Sequence, residues 1–260
     1  MILTSAAYAD PRRFAARQAL YQWQRPRYDL PSLVLDAVYD RSGLIVDVGC
    51  GNGKYLERLR AARPDRTILG IDLSPGMLRD VTPPVAVADA RRLPLQAESA
   101  DAVLALHMLY HLPNPAAGIE EFRRILRPGG KVIVATNAAS DKAEIQALWK
   151  AAHQVANLFV PADSLSFSTR FTLEDAQTLL PQYFDDVHLI HLDSIIAVTD
   201  PAPVLAYFSS YLPFPGQTEQ TARRLIAALE QLVREVITRD GDFTISCRGG
   251  LFVCSGMRTH

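Results

Sequence analysis

Val46-Asp47-Val48-Gly49-Cys50-Gly51-Asn52-Gly53 is the stretch on which the fold turns. With Leu44 and Ile45 before it, a short apolar run ends in alternating glycines just ahead of a helix-like segment at 53–62. Such a run is the mark of a strand buried on both faces of a parallel sheet, and glycines at its end let a ligand reach the backbone where no Cβ stands. Many nucleotide-binding folds share that much. Two details narrow it. The spacing is GxGxG rather than the GxGxxG that rests a pyrophosphate on a helix N-terminus, and Asp47 lies in the strand end just before the first glycine. A carboxylate there repels a pyrophosphate and attracts an ammonium. The ligand therefore joins a cationic amine to a nucleoside, and S-adenosylmethionine fits.

Outward from this turn, helix-like and strand-like segments alternate: a strand at Thr67 to Ile71, a helix at 75–80, strands at Val85 to Ala88 and Ala102 to Leu106, a helix at 115–126 and a strand at Lys131 to Thr136. Alternation of this kind predicts a doubly wound α/β sheet. The next strand ends in Gly70-Ile71-Asp72-Leu73-Ser74, which puts a carboxylate where a ribose diol lies, and the one after it closes in Asp89, placed to accept from an exocyclic adenine amine. Before the core, residues 12–22 and 31–40 have helical spacing. Beyond it, a helical stretch at Ile145 to Phe159 and a polar loop read as a lid, and Thr172 is placed to cap a helix starting near Leu173. A strand at Val187 to His191, helices at 203–211 and 218–238, and a closing strand pair at Phe243 to Cys247 and Leu251 to Ser255, split by Gly249-Gly250, complete the chain.

The boundaries that follow are an N-terminal helical cap over 1–40, a cofactor-binding core over 41–138, a lid over 139–172 and a completion of the sheet with a helical insertion over 173–260, all in one structural domain. The 260 residues are 48% apolar and 21% charged, with a net charge of −1. No apolar stretch approaches the length that crosses a bilayer, and the start, MILTSAAYADPRRF, has no continuous apolar region of a secretory signal, so a cytoplasmic location is expected. Three cysteines, Cys50, Cys247 and Cys254, make no CxxC pair, which argues for reduced thiols and against a disulfide framework or a zinc cluster. Basic residues are scattered in short pairs rather than in one run, so the charge pattern argues against nucleic acid as partner.

Taken together, VDVGCGNG (46–53), GIDLSPGML (70–78), ADARRLPL (88–95), DAVLALHMLYHL (101–112) and RRILRPGGKV (123–132) resemble, in order and spacing, the class I S-adenosylmethionine-dependent methyltransferases with a type-11-like domain. The resemblance covers roughly residues 40–140. It implies a Rossmann-like, seven-stranded, mostly parallel sheet of order 3-2-1-4-5-7-6 with the last strand antiparallel, an N-terminal helical cap and helical insertions. It also implies that Asp47, Gly49, Cys50 and Gly51 line the methionine part, that Asp72 holds the ribose with Leu73 and Met77 against the adenine, and that Asp89, Ala90 and Arg91 meet the adenine edge. Met77 serves equally well as core packing.

The fourth core strand ends in His107, near where the methyl group sits in this family. A histidine there either takes a proton from the acceptor or packs against the cofactor's amino-acid tail. His111, a few residues on, is the other histidine candidate for catalysis. The N-terminal segment resembles members acting on small natural products, so Tyr8, Arg17 and Tyr21 are candidates to fold over the cofactor, the arginine toward its carboxylate and Tyr21 beside the sulfonium or in catalysis. Phe159, Phe167, Phe171, Tyr207, Phe208, Tyr211 and Phe214, aromatic residues of the two excursions, are expected to line or support an apolar acceptor pocket. The expected reaction is in-line methyl transfer to nitrogen, oxygen or carbon of a small, aromatic or apolar acceptor, with no metal. RNA or protein methylation, a nicotinamide-dependent dehydrogenase and a non-catalytic cofactor-binding protein are the alternatives. Monomer and homodimer stay open.

Overall fold

The computed structural model describes residues 11–40, 42–159, 170–212 and 217–258, which form two compact units. The larger comprises Tyr28–Ala139, Phe167–Leu192 and Gly249–His260. Its strands are β2 (Ile45–Val48), β3 (Ile68–Asp72), β4 (Val85–Val87), β5 (Ala100–Leu106), β6 (Leu126–Asn137), β7 (Phe184–His191) and β10 (Gly249–Met257), ordered β4-β3-β2-β5-β6-β10-β7. Counting only these seven strands in chain order, that is 3-2-1-4-5-7-6, as the resemblance implies. β10 runs antiparallel to both β6 and β7, and the other pairings are parallel.

Successive strand residues point to opposite faces, and both faces are covered. Val46, Val48, Val103, Val132 and Val134 pack in one cluster with Phe122 and Phe184, while Ile45, Leu104 and Ile133 pack in another with Leu30 and Leu56. Each such side chain contributes about 1.5–3 kcal/mol on full burial. The flanking helices of this unit are α2 (Leu30–Ala37), α3 (Lys54–Ala62), the short α4 (Pro75–Leu78), α5 (Pro115–Ile125) and α7 (Leu173–Leu179). Thr172 caps α7 as expected: its hydroxyl accepts the Asp175 N–H at 3.2 Å while the Asp175 carboxylate accepts the Thr172 N–H at 2.9 Å.

The smaller unit gathers Met1–Arg27, Ser140–Ser166 and Asp193–Arg248. It has its own antiparallel sheet, β1 (Gln24–Arg25), β8 (Ser194–Val198) and β9 (Phe243–Cys247), ordered β1-β8-β9. Its helices are α1 (Pro11–Ala19), α6 (Ala143–Val155), α8 (Ala202–Ser209) and α9 (Glu219–Asp240). Trp149 of α6 stacks on Phe208 of α8 with ring centroids 5.4 Å apart, amid buried Leu20, Val204, Leu225 and Ile245. The segments read as cap, lid and insertion thus share one apolar core of their own, whereas residues 28–40 belong to the larger unit. The closing strands do not pair either. β9 joins β8, and β10 enters the other sheet between β6 and β7. Neither Gly249 nor Gly250 has a positive φ; a Cβ on Gly250 would stand 2.5 Å from Leu189 Cδ1, so glycine there serves close packing and not a turn.

Candidate active site

Four strand ends, those of β2, β3, β4 and β5, carry the candidate site in the larger unit. After β2 the N–H groups of Gly49 and Cys50 both donate to the Ile71 carbonyl, at 2.7 and 3.1 Å, which ties the glycine turn to β3. Gly49 has φ +74°, and a Cβ on it would lie 2.6 Å from Met108 Cβ, so only glycine fits. Asp72 Oδ2 accepts the Gly51 N–H at 2.9 Å, and Asp72 Oδ1 accepts the Ser74 N–H at 2.8 Å. Burial raises the Asp72 pKa against these stabilising N–H bonds.

Asp47 shares a face of β2 with Ile45 and is 2% exposed. Its Oδ2 has no hydrogen-bond partner among the described residues. Burial, and after it the charge of Asp72, push its pKa up to about 7, with Arg60 opposing. A buried carboxylate oxygen without a donor is costly unless something cationic meets it. Beside it, Cys50 is a buried free thiol whose pKa burial also raises.

Leu73 at the end of β3 and Val87 at the end of β4 are 68% and 55% exposed, large apolar side chains left open next to Asp72. Val87 did not emerge from the sequence, where it is one more apolar residue in an alternating strand; Asp72 pairs with it in register. Met77 is 2% exposed and packed in α4. Both Asp89 oxygens are taken by Arg91, with Nη2 donating to Oδ2 at 2.6 Å and Nε to Oδ1 at 3.0 Å, and this pairing lowers the Asp89 pKa. Ala90 is buried behind them.

At the end of β5, His107 is held in the left-handed region at φ +58°, its N–H donating to the Ala135 carbonyl at 2.9 Å. A non-glycine residue there costs on the order of 1 kcal/mol, and such outliers cluster at functional sites. His111 closes the short helical turn Leu109–His111, its ring edge-on to Tyr110 at 4.6 Å.

Arg17 and Tyr21 belong to the smaller unit. Arg17 is 6% exposed, donates to Ser210 Oγ at 3.5 Å and stands over the Tyr211 ring. Burial raises the pKa of the Tyr21 phenol to about 12, opposed by the Lys142 charge. Tyr8 lies outside the described residues. Of the expected pocket aromatics, Phe171 and Phe208 are core side chains, Phe159 is 87% exposed, and Phe167 and Phe214 lie outside the described residues.

Comparison with known proteins places these features. A methyltransferase domain family matches residues 46–134. The malonyl-[acyl-carrier protein] O-methyltransferase of Hahella chejuensis is 36% identical over 112 residues, 40% of this chain and 40% of that one. The ubiquinone biosynthesis O-methyltransferase of Ralstonia nicotianae is 29% identical over 208 residues, 67% of this chain and 85% of that one. The chain spans about half the length, or less, of the curated relatives it matches first. Among solved structures, a candidate type II methyltransferase from Anaeromyxobacter dehalogenans superposes with a TM-score of 0.59 at 18% identity, covering 90% of this chain and 97% of that one. The donor set suits the family's cofactor: an orphaned carboxylate oxygen at Asp47 for an ammonium, a backbone bare of Cβ at Gly49, and open apolar side chains beside Asp72 for a nucleoside. Residues 46–134 therefore form a class I S-adenosylmethionine-dependent methyltransferase domain.

Proposed function

We propose that the chain transfers a methyl group from S-adenosylmethionine to a nitrogen, oxygen or carbon nucleophile of a small acceptor. The observation that carries this reading is the unpartnered Oδ2 of buried Asp47 beside a turn that admits no Cβ. When bound, the cofactor supplies a sulfonium methyl, already electrophilic enough to be displaced in line. Asp47 holds the ammonium, Asp72 the ribose hydroxyls, and Leu73 and Val87 flank the base. His107, presented at the end of β5, takes the acceptor's proton. What remains for the protein is orientation and exclusion of water.

The printed names of the relatives, one acting on malonyl-acyl carrier protein and one in ubiquinone biosynthesis, support a metabolite-like acceptor. So does the net charge of −1, which gives no electrostatic footprint for a phosphate backbone. Calorimetric titration with S-adenosylhomocysteine and with NAD, then acceptor screening by mass spectrometry, tests the proposal. Saturable binding of the first and methyl transfer to a small molecule are expected. Micromolar binding of NAD alone would overturn it.

A further inference from the structure

Along α9 runs a charge pattern that reads the same backwards with every sign exchanged. Glu219, Arg223, Glu230 and Arg234 follow one another in steps of four, seven and four, and the outer two share a midpoint with the inner two, between Ile226 and Ala227. At about 3.6 residues per turn these steps put all four charges and Ile226 on one stripe of the helix. The stripe faces solvent, with the side chains of Glu219 and Arg223 81% and 82% exposed and that of Arg234 62%. Beside it lies an open groove of about 380 Å³ within the smaller unit, where Leu212, Ala222, Ile226 and Ala227 make an apolar lining between Arg223 and Glu230.

We propose that this stripe is the interface of a homodimer, in which α9 packs antiparallel on α9 of a second copy of the chain about a two-fold axis at Ile226 and Ala227.

Three observations carry it. The first is charge complementarity. About that axis Glu219 meets Arg234 of the partner subunit and Arg223 meets Glu230 of the partner subunit, and symmetry repeats both contacts, so every charge on the stripe faces its opposite. A parallel alignment in the same register would set each charge against its own copy, so the pattern selects one orientation and penalises the other. The second is what these charges do within one molecule. Arg223 Nη2 stands 3.3 Å from Glu219 and Arg234 Nη2 stands 2.7 Å from Glu230, both as i,i+4 pairs. Exposed pairs of this kind add little to the stability of a lone chain. Laid antiparallel, the two pairs join into one alternating network of four charges on each side of the axis. The third is the centre of the stripe. Ile226 and Ala227 stand at the axis with Leu212 and Ala222 beside them, and the short alanine side chain lets two helices approach. An apolar centre inside a charged rim is the anatomy of a protein interface. The neighbouring charges of α9 are engaged elsewhere: Arg224 donates to the Ala156 carbonyl at 2.5 Å, and Glu235 accepts from Gln231 Nε2 at 2.9 Å.

The test is sedimentation velocity on the full chain across concentration, with two charge reversals, Arg223→Glu and Glu230→Arg, measured separately and mixed. The wild type should sediment as a dimer by about 100 μM and dissociate as salt is raised. Each variant alone sets like charges together twice across the axis, so its dimer dissociation constant should rise by about tenfold or more. Mixed in equal amounts the two variants restore both contacts, Glu against Arg on either side, and should recover a dimer that neither forms alone. Far-UV circular dichroism checks that each exposed substitution leaves the chain folded; should one variant not fold, the other alone carries the comparison with wild type. A wild type that stays monomeric at about 100 μM, variants that dimerise as tightly as wild type, or a mixture of folded variants that stays monomeric overturns the proposal.

Discussion

Asp72 and Gly51 are joined by a hydrogen bond of 2.9 Å from the glycine N–H to carboxylate Oδ2. The residue at the end of β3 therefore shapes the turn at the end of β2. Its other oxygen accepts the Ser74 N–H at 2.8 Å, so one carboxylate orders the backbone on both sides of the place where a ribose is expected.

Asp72→Ala should weaken S-adenosylhomocysteine binding by about 1 to 3 kcal/mol, the range for losing charge-assisted hydrogen bonds. Calorimetry at constant ionic strength measures it. An affinity equal to wild type would take Asp72 out of the ribose site.

For Asp47 the sign follows from a pKa raised in the folded chain to about 7. The folded state holds this proton longer than the unfolded state, so stability is full below the unfolded pKa of ~4 and falls as pH climbs to the folded value, by up to about 4 kcal/mol. Asp47→Asn should flatten that decline in urea melts. Because an ammonium prefers the ionised carboxylate, S-adenosylhomocysteine affinity should rise from pH 6 to 8 more steeply in wild type than in Asp47→Asn. Parallel pH profiles for the two proteins would contradict the ammonium contact.

His107→Ala should lower turnover by a factor on the order of 100 to 10,000 with cofactor affinity nearly intact if the imidazole takes the acceptor's proton. Steady-state kinetics and calorimetry on one preparation separate the two quantities. Turnover within about threefold of wild type would leave orientation as the working principle.

Phe208→Ala removes a fully buried ring stacked on Trp149 and should cost about 3 to 5 kcal/mol in the smaller unit, read by denaturant unfolding. The same variant should leave S-adenosylhomocysteine affinity unchanged. A loss of affinity as large as the loss of stability would show that cofactor binding depends on this core.

The parts legible in the sequence were those written locally. The glycine turn, the aspartates closing β2 and β3, and the Thr172 cap each follow from neighbouring residues, and the structure has them in those places. The smaller unit was not legible, because its sheet is made by partners far apart: Gln24 pairs with Ile196, and Ile196 with Ile245. A two-residue strand such as Gln24–Arg25 has no periodicity to detect, and Ser194–Val198 follows β7 too closely to stand out from it. The glycine pair at 249–250 looked like a turn because glycine permits turns, while here it relieves crowding against Leu189 and Leu173. Lys142 gave no signal at all; only the fold brings it near Tyr21.

β10 lies between β6 and β7, and β7 meets the rest of its sheet through β10. During synthesis on the ribosome the parallel block β4-β3-β2-β5-β6 emerges first and waits with the edge of β6 bare, while β7 has no strand to join until residues 249–257 leave the exit tunnel. An unpaired strand edge in a nascent chain is a template for pairing with another molecule, so this interval is when the protein most needs a chaperone. A premature stop or a proteolytic nick between β9 and β10 would not trim the sheet at its margin. It would split it, releasing β7 and reopening β6 to aggregation.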